Sequence, residues 1–169
     1  MRIKNSFWYL LGMLLLCVAV NSCKKDNNDN ITNLLTKGRW QLASMQVYHF
    51  IGDSQISTDT LNTDCDTTQL FTFFKDKVCT YTNYDCKVQP IARGTWSLSD
   101  TKLVLNADIT CQDNSVAGSL KPFLNAQIQN LGDFSLVVQT GDTQNYYSPT
   151  QPRTIYRYAF IRQKEVTTQ

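Results

Sequence analysis

RWQLASMQVYHF, residues 39–50, is the stretch on which the fold turns. Its aromatic and branched side chains suit a pleated, half-buried surface. Trp40 and Leu42 share one parity, whereas Ala43, Met45 and Val47 take the other. Successive strand residues point to opposite faces, so this switch predicts a bulge or twist near Ala43. Before it, ITNLLTK (31–37) is compatible with a short helix ending at Gly38.

Similar short runs follow along the chain. LFTFFKDK (70–77) and VCTYTNY (78–84) bracket a turn at 75–77, whose Asp76-Lys77 lacks the glycine of the commonest tight hairpins. ARGTWSLS (92–99) and KLVLNA (102–107) flank Ser99-Asp100-Thr101, and AQIQNL (126–131) and FSLVVQT (134–140) flank Gly132-Asp133. RTIYRYAFIR (153–162) sets Tyr156, Tyr158 and Phe160 on one face. Residues 52–68 and 107–123 read as long loops, and 141–152 is rich in turn formers. These are eight strand candidates and no convincing long helix. Threonine, which favours strands, supplies 19 of the residues after position 22. Nearest-neighbour hairpins leave two open edges, and closure into a barrel removes both. The expected architecture is all-β: an antiparallel up-and-down barrel of about eight strands behind a short N-terminal helix, with a β-sandwich as the competing arrangement.

The first residues carry an address. Arg2 and Lys4 precede FWYLLGMLLLCVAV (7–20), a run of 14 residues where a membrane-spanning helix needs about 20. A basic start, a short apolar core and small residues beyond it describe an export signal. The run ends Val20-Asn21-Ser22-Cys23, which resembles the lipobox of bacterial lipoproteins. That resemblance implies cleavage after Ser22, diacylglycerol on the Cys23 thiol and acylation of the freed amine. Several acyl chains make a stable anchor where one holds only marginally. The domain plan is therefore a signal peptide (1–22), a lipid anchor with polar tether (23–34), a barrel (35–164) and a polar tail (165–169). The expected location is the outer membrane, on its periplasmic face or at the cell surface; Asp26 and Asp29 in the tether resemble surface-export signals of Bacteroidetes lipoproteins.

Charge and chemistry narrow the function. Lysine and arginine total 16 against 14 acidic residues, and removing Arg2 and Lys4 with the signal balances the two. No basic patch suggests a nucleic-acid partner. His49 stands alone and lacks a nucleophile–acid constellation, and Glu165 lies in the tail. Asp64 and Asp66 point apart if that segment is extended, and Asp108 and Asp113 lack a calcium-loop pattern. The reading is of a protein without a catalytic site, metal or cofactor. Setting aside Cys17 and Cys23 leaves Cys65, Cys79, Cys86 and Cys111, whose spacings contain no close zinc pair. Export permits disulfides, and three pairings are possible. Cys65–Cys86 with Cys79–Cys111 is favoured, because the first two flank the 70–84 hairpin and Cys79 lies inside it.

Several pieces together resemble the small lipocalin-like domains of Bacteroidetes lipoproteins. They are LTKGRWQLASMQV (35–47), whose Gly38-Arg39-Trp40 is similar to the lipocalin G-x-W signature, CDTTQLFTF (65–73), Cys86, GTWSL (94–98), LVL (103–105) and YRYAFIR (156–162). The resemblance implies that Gly38 allows a close turn into the first strand and that Trp40 packs at the closed end of the barrel. Arg157 or Arg162 would cover it. The second conserved motif of typical lipocalins is not evident. Such barrels either fill with side chains or hold a small ligand. Candidate inward aromatics are Phe71 and Phe73 or, on the opposite face, Phe74, together with Trp96, Tyr156, Tyr158 and Phe160. Two functions follow: binding a small hydrophobic or amphipathic ligand, or presenting loops such as NYYSPTQP (145–152), with Tyr146 and Tyr147, to a protein or glycan partner.

Overall fold

The computed structural model describes residues 27–61, 63–112 and 118–163. The signal segment, Cys23, the start of the tether and the polar tail lie outside the described residues. By contacts the chain divides at residue 30, and the unit from Ile31 onward contains the barrel.

Helix α1 (Asn27–Thr36) starts four residues before the apolar pattern does, inside the expected tether. Eight strands then close into a barrel: β1 (Arg39–Ile51), β3 (Leu70–Phe73), β4 (Val78–Thr82), β5 (Ala92–Leu98), β6 (Val104–Asp108), β9 (Ala126–Leu131), β10 (Ser135–Gly141) and β11 (Pro152–Arg162). All neighbouring pairs are antiparallel, and β1 against β11, from Trp40↔Arg162 to Ile51↔Pro152, completes the circle. The register of β1 with β11 shifts between Leu42 and Ser44, where the change of parity predicts a bulge.

Alternation explains the core. β3 and β4 bury Phe71, Phe73, Cys79 and Tyr81, while Thr72 and Thr80 between them are only half-buried. On β11 the inward set is Tyr158 and Phe160; Tyr156 shares their parity but is exposed, because it lies where the barrel opens. Phe74 is likewise exposed, one residue beyond β3. The turn after β3 needs no glycine, since Lys77 itself adopts a left-handed φ of 68°. Its ammonium sits 4.0 Å from the Trp96 ring, and Trp96 Nε1–H donates to the Phe74 carbonyl at 2.9 Å.

Two expected loops contain strands. β2 (Ser54–Leu61) pairs with Met45–Ile51 of β1 and is exposed at all eight positions, so no burial alternation marks it. Short strands β7 (Cys111–Gln112) and β8 (Ser119–Leu120) form a small second sheet. The connection from β8 to β9 then folds Phe123 back into the barrel. Its fully buried ring lies 4.7 Å from Phe71, 5.1 Å from Tyr81 and 4.9 Å from Tyr158. With Trp40, Trp96, Phe73 and Phe160 it fills the middle of the barrel.

Cys65 and Cys86 are joined by a disulfide. A loop of that length contributes roughly 3 kcal/mol by restricting the unfolded chain. The second expected bond is absent: Cys79 and Cys111 are buried free thiols. Each is held in the core by its own strand, Cys79 opposite Gly94 and Cys111 opposite Leu120, so burial does not require the two to bond.

Candidate functional site

The register distinguishes the two ends of the barrel. At one end α1 passes beneath the start of β1. Trp40, wholly buried, donates from Nε1 to the Leu35 carbonyl at 2.9 Å, and fully buried Leu35 packs into the same core. Of the two candidate arginines, Arg162 covers Trp40, with its guanidinium carbon 4.5 Å from the ring centroid, and donates from Nη2 to the Leu34 carbonyl at 2.8 Å. Such a cation–π contact contributes about 0.5–2 kcal/mol, depending on exposure. Arg157 instead donates to Gln46 on the outer face of the sheet. Gly38, directly before β1, takes no left-handed conformation, and a Cβ there would meet the Arg162 side chain at an ordinary 3.5 Å.

The opposite end holds a cavity of about 540 Å³. Its floor is Tyr84, in the 3-10 turn after β4, and Tyr158 of β11, whose hydroxyls lie 3.4 Å apart. Leu120, Pro122 and Leu124 form one wall, the end of β10 (Thr140 and Gly141) another, and Tyr156, Lys121 and Asp85 complete the rim. The position of each wall has a local cause. Pro122 and Phe123 are pulled inward by burial, which orients Leu120 and Leu124 around the opening. The Cys65–Cys86 disulfide fixes the turn bearing Tyr84 and Asp85, and buried Gln69 links it to the core, donating toward both sulfurs at 3.7 Å and accepting from Tyr81 at 3.2 Å.

The lining is amphipathic. Lys121 is neutralised by Asp108 at 2.6 Å, and the phenols of the floor are uncharged. Burial pushes the Tyr158 hydroxyl up to about 12 and carries Tyr84 and Tyr81 further up from the usual phenol range. The floor therefore offers neutral hydrogen-bonding groups, and the walls offer apolar contact. Small-molecule sites commonly combine these features: a mainly apolar lining with a few convergent polar groups. The barrel interior itself is occupied by its own aromatic side chains.

A clamp secures the neighbouring loop. Arg153, buried at the start of β11, donates from Nε and Nη2 to the Gly52 carbonyl at 3.2 and 2.9 Å. Its guanidinium stacks on Tyr147 at 3.5 Å, and the Tyr147 hydroxyl donates to Asp53. Tyr147 is thus built into the loop, whereas Tyr146 is 93% exposed. His49 pairs with Asp59 on the exposed β1–β2 ribbon, away from the cavity.

The chain matches no protein-family model and no curated protein sequence. The architecture is nonetheless the one that the lipocalin resemblance implies: a closed, eight-stranded antiparallel barrel with a short helix before it. Of the cavity-lining residues, sequence reasoning singled out only Tyr156 and Tyr158. Tyr84 ends the expected strand 78–84, Leu120 to Pro122 fall in the expected loop 107–123, and Leu124 falls between that loop and the next strand. A signal was available in Phe123, a large aromatic inside a long loop, which marks a loop with something to bury.

The buried acids make stability pH-dependent. Burial, with the nearby Asp108 charge, pushes the Cys79 thiol up to about 12; burial and the neighbouring Cys79 push Cys111 up to about 12. The folded chain therefore retains protons that the unfolded chain releases once the pH passes about 9 to 10. Stability is fully present below that range and is lost as the pH rises toward 12. The urea midpoint is expected to fall steadily above about pH 9. Iodoacetamide should spare Cys79 and Cys111 in the native chain and label both in urea; native labelling at neutral pH would contradict their burial.

Proposed function

We propose that this chain is an exported bacterial lipoprotein, held at the outer membrane through Cys23, whose barrel binds a small amphipathic ligand in the cavity opposite Trp40. One observation carries the binding reading: the mixed tyrosine, threonine and leucine lining of a roughly 540 Å³ cavity at the mouth of an otherwise filled barrel. Burial of the ligand's apolar part against Leu120, Pro122 and Leu124 supplies affinity, at about 25 cal/mol per Å². The Tyr84, Tyr158 and Thr140 hydroxyls orient its polar part. The activity is desolvation and hydrogen bonding, with no chemical step. The anchor reading rests on the basic start, short apolar run and lipobox-like Val20–Cys23 sequence.

Photolabelling tests the site. The full chain in lipid nanodiscs is irradiated with a diazirine-bearing monoacylglycerol. Label is expected on peptides containing Leu120 to Leu124 and Tyr156, competed by unlabelled monoacylglycerol. Leu124→Trp, at a half-exposed position on the cavity wall, should reduce labelling by about tenfold or more as the indole occupies the space. Equal labelling of wild type and Leu124→Trp would place binding elsewhere. The alternative, a module that presents loops to a protein or glycan partner, is favoured by the filled interior and by exposed Tyr146, and it predicts no competed label at all.

A further inference from the structure

We propose that the end of the barrel closed by α1 is a docking surface for an anionic lipid bilayer, so that the domain stands on the membrane with its cavity facing away. This inference rests on the Cys23 anchor described above and adds an orientation to it. Three hairpins turn at this end: β3–β4, β5–β6 and β9–β10. Each presents one large apolar side chain to solvent at its tip, namely Phe74 (44% exposed), Leu103 (61%) and Phe134 (75%). Single exposed apolar residues are common on any protein surface. Here two further observations give the set a direction.

The first is charge. In the barrel unit, from Ile31 onward, Lys37, Arg39, Lys75, Lys77, Lys102 and Arg162 lie at this end against Asp76, Asp100 and Asp133, leaving three positive charges in excess among its described residues. The loops toward the cavity carry Asp53, Asp64, Asp66, Asp85 and Asp142 against Lys87 and Lys121, an excess of the opposite sign. Lysines beside apolar tips suit an anionic headgroup layer: the ammonium groups meet phosphates while the apolar side chains enter the interfacial region. The second observation is covalent reach. Seven residues, 24–30, separate Cys23 from Ile31, so the anchor lies within at most about 28 Å of the point where the chain joins the barrel unit. That junction is at the closed end, where Leu35 lies under Trp40, and Lys37 ties it to the β9–β10 tip through Asp133 at 3.3 Å. A lipid on Cys23 therefore brings the basic, apolar-tipped end to the bilayer first.

Depth-dependent fluorescence tests this orientation. The full chain is reconstituted in phosphatidylcholine–phosphatidylglycerol vesicles with brominated acyl chains, carrying either Phe134→Trp or Tyr146→Trp. Both positions are strongly exposed, so neither substitution disturbs the core. The tryptophan added at 134 is expected to be quenched about fivefold more than the one at 146. Adding Lys75→Glu and Lys102→Glu should reduce its quenching to the level seen in phosphatidylcholine alone. The mass of the Cys23 peptide from the same vesicles is read separately. Quenching at 134 on a chain without acyl groups supports the docking surface and removes the anchor. An acylated chain with equal quenching at both positions, or none at 134, overturns the docking surface and keeps the anchor. Failure of the chain to float with the vesicles overturns both.

Discussion

Phe123→Ala is expected to destabilise the barrel by about 3–5 kcal/mol, measured by equilibrium urea unfolding followed through tryptophan fluorescence. The expectation follows from where the ring sits. Phe123 is fully buried, and its neighbours Phe71, Tyr81, Tyr158 and Phe160 come from three strands that enclose the barrel interior. Those strands are fixed by backbone pairing and cannot collapse into the vacated space, which places the cost at the upper part of the range for such truncations. The same substitution should extend the mouth cavity inward and allow longer apolar probes to enter. A loss below about 1 kcal/mol would mean that Phe123 is a surface residue and that the interior is held together without it.

Gly94→Ala is the second large effect, expected at about 4 kcal/mol or more. The cause is backbone proximity. A Cβ built at Gly94 lies 1.8 Å from the Asp108 carbonyl oxygen and 2.9 Å from the Ile109 Cγ2. β5 at this point is threaded between Cys79 on β4 and the end of β6, so making room means breaking the Thr95↔Asp108 register or shifting the β6–β7 connection that buries Ile109 and Cys111. Glycine within a strand marks this kind of close approach. Gly132→Ala is the control: its nearest neighbour would be the Ser135 hydroxyl at 3.7 Å, an ordinary contact. It should change stability by less than about 0.5 kcal/mol, apart from any gain through the unfolded chain. Where Gly94→Ala yields no soluble protein while Gly132→Ala folds, the contrast in soluble yield carries the comparison, since only the first meets backbone.

What could be read from residues alone follows a physical line. Strands half in the core announce themselves by alternation, as Phe71/Phe73 and Tyr158/Phe160 do, and the parity change after Leu42 located a bulge. β2 could not be found in this way. Ser54 to Leu61 face solvent on both sides and are held by β1 through backbone bonds that any sequence can make. The cavity was similarly hidden, because its walls come from the 3-10 turn at Tyr84, the segment after β8 and the end of β10, distant pieces that only closure brings together. Burial of Arg153 was also beyond local reading. It depends on the Gly52 carbonyl and the Tyr147 ring, both contributed by other segments. The cysteines show the same limit: spacing indicated which residues flank a hairpin, but whether Cys79 and Cys111 bond depends on side-chain directions that spacing does not fix.

The most direct measurement is native mass spectrometry of the full chain extracted from its own cell envelope. The expected species begins at Cys23, carries covalent acyl mass there, and holds one further noncovalent molecule per chain that is missing from Leu124→Trp. A chain that retains residues 1–22, has an unmodified Cys23 and shows no bound mass in either protein would contradict both the tether and the cargo.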